Sequence, residues 1–250
     1  MITADLDPDT SRWRPARVLD RWDETPRIAT LRIGADRWPG HVAGQRVDVR
    51  LTAQDGYQAN RAYSIASAPS SGVLDLAVER LDDGEVSPWL VDIARAGDEL
   101  EVRGPVGGWF TWRPTDPGPL LMLAGGSGLV PLMAMAREAV AAATGTDVRL
   151  LVSTRTAAEL PFAEELAMLD AAGSLRLLHT VTRGAPDGWD GWRGRMGSAL
   201  AAELLDDLPS APPAIFICGG SGFVDHASHL LMAEGVDARA IRTERFGPSS

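Results

Sequence analysis

Three short runs carry residue types that could act together on a ligand. Arg61-Ala62-Tyr63-Ser64 sets a guanidinium, an aromatic ring and a hydroxyl within four residues. Alternate residues of a strand face the same side, so Arg61 and Tyr63 can address one ligand, the cation meeting an anionic group and the ring a flat one. A bland strand with Arg and Tyr on one face is common, however, and the run says little alone. In the second run, the apolar stretch Leu120–Ala124 leads into Gly125-Gly126-Ser127-Gly128-Leu129-Val130-Pro131 and a helical pattern. A Gly-rich strand-to-helix turn lets a pyrophosphate approach the backbone N–H groups of a helix end. Its fit to Gly-x-Gly-x-x-Gly is imperfect, because Pro131 stands where the third Gly belongs. The third run, Ile217-Cys218-Gly219-Gly220, ends another apolar stretch; Cys218 fits there equally well as a small buried hydrophobe.

The next strand after the glycine turn bears on which dinucleotide would bind. An NADH site carries an acidic residue at that strand's end, on the ribose hydroxyl. Here the strand closes Val152-Ser153-Thr154-Arg155, and Asp147 lies at its opposite edge. Ser153 and Arg155 suit a 2′-phosphate, which takes a hydrogen bond and a charge-assisted fork. Arg183 and Arg193 could add charge, or could be solvated surface arginines. The expectation is NADPH.

These runs sit in halves of different rhythm. Between residues 14 and about 114, Arg17–Arg21, Ile28–Ile33, Arg46–Leu51, Val73–Glu79 and Glu99–Val102 read as short strands separated by Gly turns. Ser87 as N-cap and Pro88 as first helical residue predict one short helix. Closely spaced strands with one helix predict a small, closed or nearly closed antiparallel barrel. The helix-hostile stretch Pro114–Pro119 marks the expected boundary, giving domains 1–115 and 116–250. Beyond it, strands Leu120–Ala124, Val148–Ser153, Leu175–Val181 and Ala214–Cys218 alternate with helices Val130–Ala143, Ala158–Ala171, Ser198–Leu205 and Phe223–Glu234. That alternation predicts a doubly wound α/β domain on a parallel sheet.

Bulk properties exclude several classes. The 250 residues carry a net charge of −10, which argues against non-specific nucleic-acid binding. All 24 basic residues are Arg, so every cationic contact to a phosphate would be a guanidinium fork. A single Cys rules out a four-thiolate iron–sulfur cluster within this chain. With one Cys and four scattered His, no metal site is expected. No apolar run approaches the ~20 residues of a membrane span, and the start lacks a basic and an apolar region, so a cytoplasmic protein is expected.

Taken in order, the motifs resemble the ferredoxin–NADP reductase superfamily over nearly the whole chain, from about Trp13 to Pro248. Arg61-Ala62-Tyr63-Ser64 is similar to its Arg-x-Tyr-Ser. The resemblance implies that Arg61 pairs with the pyrophosphate of FAD, Tyr63 lies against the flavin ring, and Ser64 hydrogen-bonds near N5. Ala77-Val78-Glu79-Arg80 resembles the strand running along the flavin, and Gly84-Glu85-Val86-Ser87 the turn under its pyrophosphate. Family members often carry Lys where this chain has Glu79, so Arg80 is the phosphate contact implied here. Gly104-Pro105-Val106-Gly107 resembles the segment that closes the barrel. Gly125–Pro131 is similar to Gly-Gly-x-Gly-x-x-Pro, which accounts for Pro131, and Cys218-Gly219 resembles the Cys-Gly beside the nicotinamide. In the tail, Phe246 is implied as the aromatic covering the flavin and Glu244 as a group by the nicotinamide, although four residues follow Phe246.

The resemblance therefore implies a flavoenzyme that takes hydride from NADPH into FAD, with Ser64, Cys218 and Glu244 at the reacting atoms. Electrons would pass to a separate acceptor, a ferredoxin or other redox protein. Two alternatives stand beside it: a reductase of free flavin or quinone, and a non-catalytic flavoprotein subunit.

Overall fold

The computed structural model describes residues 10–208 and 214–247. The first half forms β1 (Arg14–Thr25), β2 (Ile28–Ala35), β3 (Arg46–Thr52), β4 (Gln58–Ser64), β5 (Leu74–Glu79) and β6 (Glu99–Val106). The second forms β7 (Leu120–Gly125), α1 (Leu129–Ala142), β8 (Val148–Thr156), α2 (Ala163–Ala171), β9 (Arg176–Gly184) and β10 (Trp192–Arg193). It continues with α3 (Ser198–Leu205), β11 (Ile215–Gly220), α4 (Ser221–Ala233) and β12 (Ile241–Phe246).

The first six strands pair antiparallel in the order β4-β3-β6-β1-β2-β5. In β1 and β3 alternation points Ala16, Val18, Val47 and Val49 into one core, whereas β5 is buried on both faces, Leu76 and Val78 toward that core and Ala77 toward the α1 side. The end strands β4 and β5 meet only past the end of β4, where Ile65 bridges Leu76 and Ala66 N–H donates to Asp75 O at 2.8 Å. The barrel is thus nearly closed, and the edge of β4 before Ser64 has no strand partner.

The second sheet is wholly parallel, in the order β10-β9-β8-β7-β11-β12. Leu121, Leu123, Ile215 and Ile217 pack on α3 and α4, while Met122, Leu150 and Phe216 pack on the α1 side. Helix α1 is apolar almost all round because it lies between that sheet and the barrel: Ile28, Ala43, Ala66, Ala77, Phe110 and Trp112 share its core. Polar contacts also tie the halves: Arg137 Nη1 donates to Ala66 O at 2.7 Å, and Phe162 N–H donates to Glu24 Oε2 at 3.1 Å. Among the described residues no helix is long and apolar enough to cross a membrane.

Two expected elements differ. The helix expected over Ala158–Ala171 is a short turn at Ala157–Glu159 followed by α2, because Pro161 interrupts it and Phe162 takes a left-handed φ of 57°. The helix expected after Ser87 is one wide turn, Trp89–Ile93, closed by Ala94 N–H on Trp89 O at 2.9 Å. Pro88 stands at its cap position. Ser87 Oγ reaches backwards instead, accepting from Leu81 N–H at 3.1 Å, and so orders the preceding loop.

Candidate functional site

The unpaired edge of β4 carries the first run. Register with β3 sets Arg61 opposite Val49, Tyr63 opposite Val47 and Ser64 opposite Arg46. Arg61 and Tyr63 therefore share one side and Ser64 takes the other. Tyr63 is half-buried against the barrel core, and burial pushes its phenol well above the ordinary value of 10, with Arg61 pulling slightly the other way. Ser64 is 5% exposed, and its Oγ is buried with no hydrogen-bond partner. An unsatisfied buried hydroxyl costs about 1–3 kcal/mol, so this atom marks where a polar ligand atom fits.

The fold brings Cys218 and Glu244 to the same place. They pair in the β11–β12 ladder, and Arg46 Nη1 lies 3.7 Å from Glu244 Oε1 across the two halves. Burial raises the Glu244 carboxyl above the ordinary carboxylate range, and Arg46 opposes that rise. Cys218 is fully buried; burial first, and the Glu244 charge second, hold its thiol well above the ordinary value. A thiol so placed is neutral and not a thiolate nucleophile. Arg46 is the member that the sequence reading missed. Its signal was present, since pairing Arg46–Leu51 with Arg61–Ser64 in the observed register sets it opposite Ser64.

Around the far end of β4, cations and carboxylates are paired. Arg61 Nη2 lies 3.1 Å from Glu85 Oε2, and Tyr57 Oη donates to Glu85 Oε1 at 2.6 Å. Arg80 Nε donates to Asp92 Oδ2 at 2.7 Å, and its Nη1 bonds Asp82. Such exposed pairs add little to stability, so breaking them for a competing anion would cost little. Val78 and Val86 are buried in the barrel core, Ala62 is exposed on β4, and Gly84 admits the Ser87 hydroxyl, which would lie 2.7 Å from an added Cβ.

The glycine turn lies where the strand order of the parallel sheet reverses, between β7 and β11, which is where α/β sheets bind ligands. Its glycines have separate causes. A Cβ at Gly128 would fall 2.1 Å from Cys218 O, and one at Gly125 2.7 Å from the Phe223 ring. Gly219, at φ +155, leaves its Cβ position 3.1 Å from Gly125 Cα. Only Gly126 combines a left-handed φ of +56 with open space, the arrangement a ligand approaching the backbone needs. Pro131 sits buried in the first turn of α1, where its missing N–H has no helical partner to lose. Ser127 Oγ donates to Glu79 Oε2 at 2.5 Å, joining the turn to β5 of the barrel.

Ser153 pairs with Gly125 on one side and Thr180 on the other, at the same sheet edge as the turn. Arg155, Arg183 and Arg193 lie exposed on β8, β9 and β10 along that edge. The Arg193 guanidinium donates to Trp189 O at 3.2 Å. Phe246 ends β12 opposite Gly220, partly buried against the α1-side core. Among the described residues no group of three or more His, Cys, Asp or Glu is placed to hold a metal ion.

The sequence also matches known families. Residues 25–111 match the oxidoreductase FAD-binding domain and residues 122–229 the oxidoreductase NAD-binding domain. A ferredoxin–NADP reductase of Sorangium cellulosum is 36% identical over 82% of this chain and 84% of its own length. The chain belongs to the ferredoxin–NADP reductase family. It is also 34% identical to the glycine betaine monooxygenase reductase subunit of Chromohalobacter salexigens over 82% of this chain, and spans about half (55%) of that relative. Among solved structures, a cytochrome P450 reductase from Amycolatopsis superposes with a TM-score of 0.80 at 28% identity, covering 96% of this chain and 71% of that one. The family's barrel and parallel sheet are the two halves described above.

Proposed function

We propose that this chain is an NADPH-dependent FAD oxidoreductase that delivers electrons to a separate acceptor protein, a ferredoxin or other redox protein. The observation that carries this reading is the buried, unpartnered Ser64 Oγ at the end of β4, on a residue paired with Arg46, whose guanidinium lies 3.7 Å from Glu244, the ladder partner of Cys218. When bound, the flavin supplies the exchange between two-electron and one-electron chemistry.

Residues on the β4 side would hold FAD. Arg61, Arg80, Gly84 and Ser87 address its phosphates, and Ala62, Tyr63, Val78, Val86 and Phe246 its ring and edges. Ser64 gives its hydroxyl hydrogen bond near the reacting atom. Gly125, Gly126, Ser127, Gly128 and Pro131 shape the dinucleotide turn, and Ser153, Arg155, Arg183 and Arg193 read the 2′-phosphate as charge-assisted partners. Cys218 and Gly219 border the nicotinamide with a neutral, compact wall. Glu244 can hold a proton there because burial favours its uncharged form. We divide the chain at Thr115/Asp116, between β6 and β7, and assign it to the cytoplasm, in keeping with its one buried, unpaired cysteine.

The acceptor is tested by NADPH-driven reduction of a two-iron ferredoxin, followed through cytochrome c, beside free FMN and a soluble quinone at equal concentration. Ferredoxin-dependent turnover well above the small-molecule rates is expected. Turnover with FMN or quinone alone would replace this reading with that of a free flavin or quinone reductase.

A further inference from the structure

We infer that Glu79 sets the affinity of the dinucleotide turn by opposing the pyrophosphate that the turn receives. This rests on the function proposed above and deepens it. Glu79 is the last residue of β5, and its Oε2 accepts from Ser127 Oγ at 2.5 Å. A hydroxyl that donates to a carboxylate makes a charge-assisted hydrogen bond. It is the contact by which a barrel carboxylate reaches the Gly126–Gly128 turn at the start of α1.

The charges around Glu79 give the contact its consequence. Nearby Arg27 and Arg80 are engaged elsewhere, Arg27 Nη2 with Asp82 Oδ2 at 3.2 Å and Arg80 with Asp82 and Asp92. No ion pair neutralises the Glu79 carboxylate among the described residues. It therefore stands as an anion beside the start of α1, where the first-turn N–H groups and the helix dipole favour an anion. A dinucleotide pyrophosphate would claim the same N–H groups and the Ser127 hydroxyl. Its binding must then break the Ser127–Glu79 bond and set two like charges side by side. Glu79 thus adds one bond between the halves in the ligand-free protein and weakens dinucleotide binding; Arg or Lys at this position would act on binding with the opposite sign.

The test is a calorimetric titration of the oxidised, FAD-loaded protein with NADP+ and NAD+, a binding readout that involves no turnover. Glu79→Gln keeps an acceptor oxygen for Ser127 and removes the charge; Glu79→Ala removes both. Both variants should bind NADP+ about three- to tenfold more tightly, as expected for losing one like charge near the surface. Glu99→Gln, at an exposed site on the barrel, makes the same change in net charge and should leave the dissociation constant within about twofold of wild type. An unchanged or weaker affinity in Glu79→Gln would overturn the inference, as would equal tightening in Glu99→Gln. If the wild type binds neither dinucleotide, the proposed function falls as well. If it binds and Glu79→Gln is indistinguishable from it, this inference alone falls.

Discussion

Gly128→Ala separates two physical effects of opposite sign at the centre of the site. Gly128 has φ −57 and ψ −12, a conformation open to any residue. Chain entropy by itself would therefore favour alanine by about 0.4–1 kcal/mol. Sterics oppose this, since the added Cβ would lie 2.1 Å from Cys218 O, 2.4 Å from Cys218 C and 2.7 Å from Gly219 N. All three atoms are main chain, and ordinary contact begins at 3.4 Å, so α1 and β11 would have to part by more than an ångström. Helix α1 cannot yield easily, because Leu129, Val130, Leu132, Met133 and Met135 are buried between the sheet and the barrel. Sterics should win, with a net destabilisation near the top of the overpacking range, about 3 kcal/mol. For a chain of this size that lowers Tm by about 6–12 °C. Gly126→Ala meets nothing within 4 Å and pays only for its φ of +56, about 1–2 kcal/mol. Thermal unfolding followed by circular dichroism ranks the two variants. A Tm for Gly128→Ala within about 2 °C of wild type, or below neither wild type nor Gly126→Ala, would refute the close-approach argument.

Other variants probe the proposed reacting centre. Ser64→Ala removes a buried hydroxyl that has no protein partner, so the flavin-free protein should be as stable as wild type or more stable, by about 1 kcal/mol, in a denaturant titration. With flavin bound, the same variant should reduce more slowly in stopped flow, by about tenfold or more. Glu244→Gln tests the raised carboxyl: the native state holds its proton to higher pH than the unfolded chain, so wild type loses stability as pH rises through the native value. The variant should therefore be the more stable near neutral pH and converge with wild type below the ordinary carboxylate value of 4.5; a difference that does not vary with pH counts against burial as the cause. Arg155→Ala should weaken NADPH far more than NADH in paired titrations, and equal losses would remove Arg155 from the 2′-phosphate site.

Five of the six barrel strands and most of the α/β alternation were legible because apolar residues there recur at the period of their element, whereas β4, Gln-Ala-Asn-Arg-Ala-Tyr-Ser, lacks that pattern. The turn at Gly125–Pro131 was legible for the same reason, lying between the apolar run of β7 and the helical pattern of α1. Strand β12 was not recognised as a strand. Its sequence Ile-Arg-Thr-Glu-Arg-Phe has apolar residues only at its ends, as befits the exposed edge of a parallel sheet. Three contacts also escaped, each for want of information on long-range pairing. Arg46 meets Glu244 only because β3 and β12 converge between the halves. Glu79 was set aside as a phosphate contact, and its bond to Ser127 spans 48 residues. Ser87, read as a helix cap from local pattern, bonds six residues back because the loop closes on it.

The central claim, that the β4 edge ending at Ser64 holds FAD and that this flavin receives reducing equivalents from a dinucleotide bound at the Gly125–Gly128 turn, is tested by anaerobic titration of the flavin-loaded protein with NADPH. The account predicts a yellow protein that releases FAD on heating and whose flavin absorbance bleaches on adding NADPH, with NADH less effective. A colourless protein that binds no added FAD, or a bound flavin that neither dinucleotide bleaches, would contradict it.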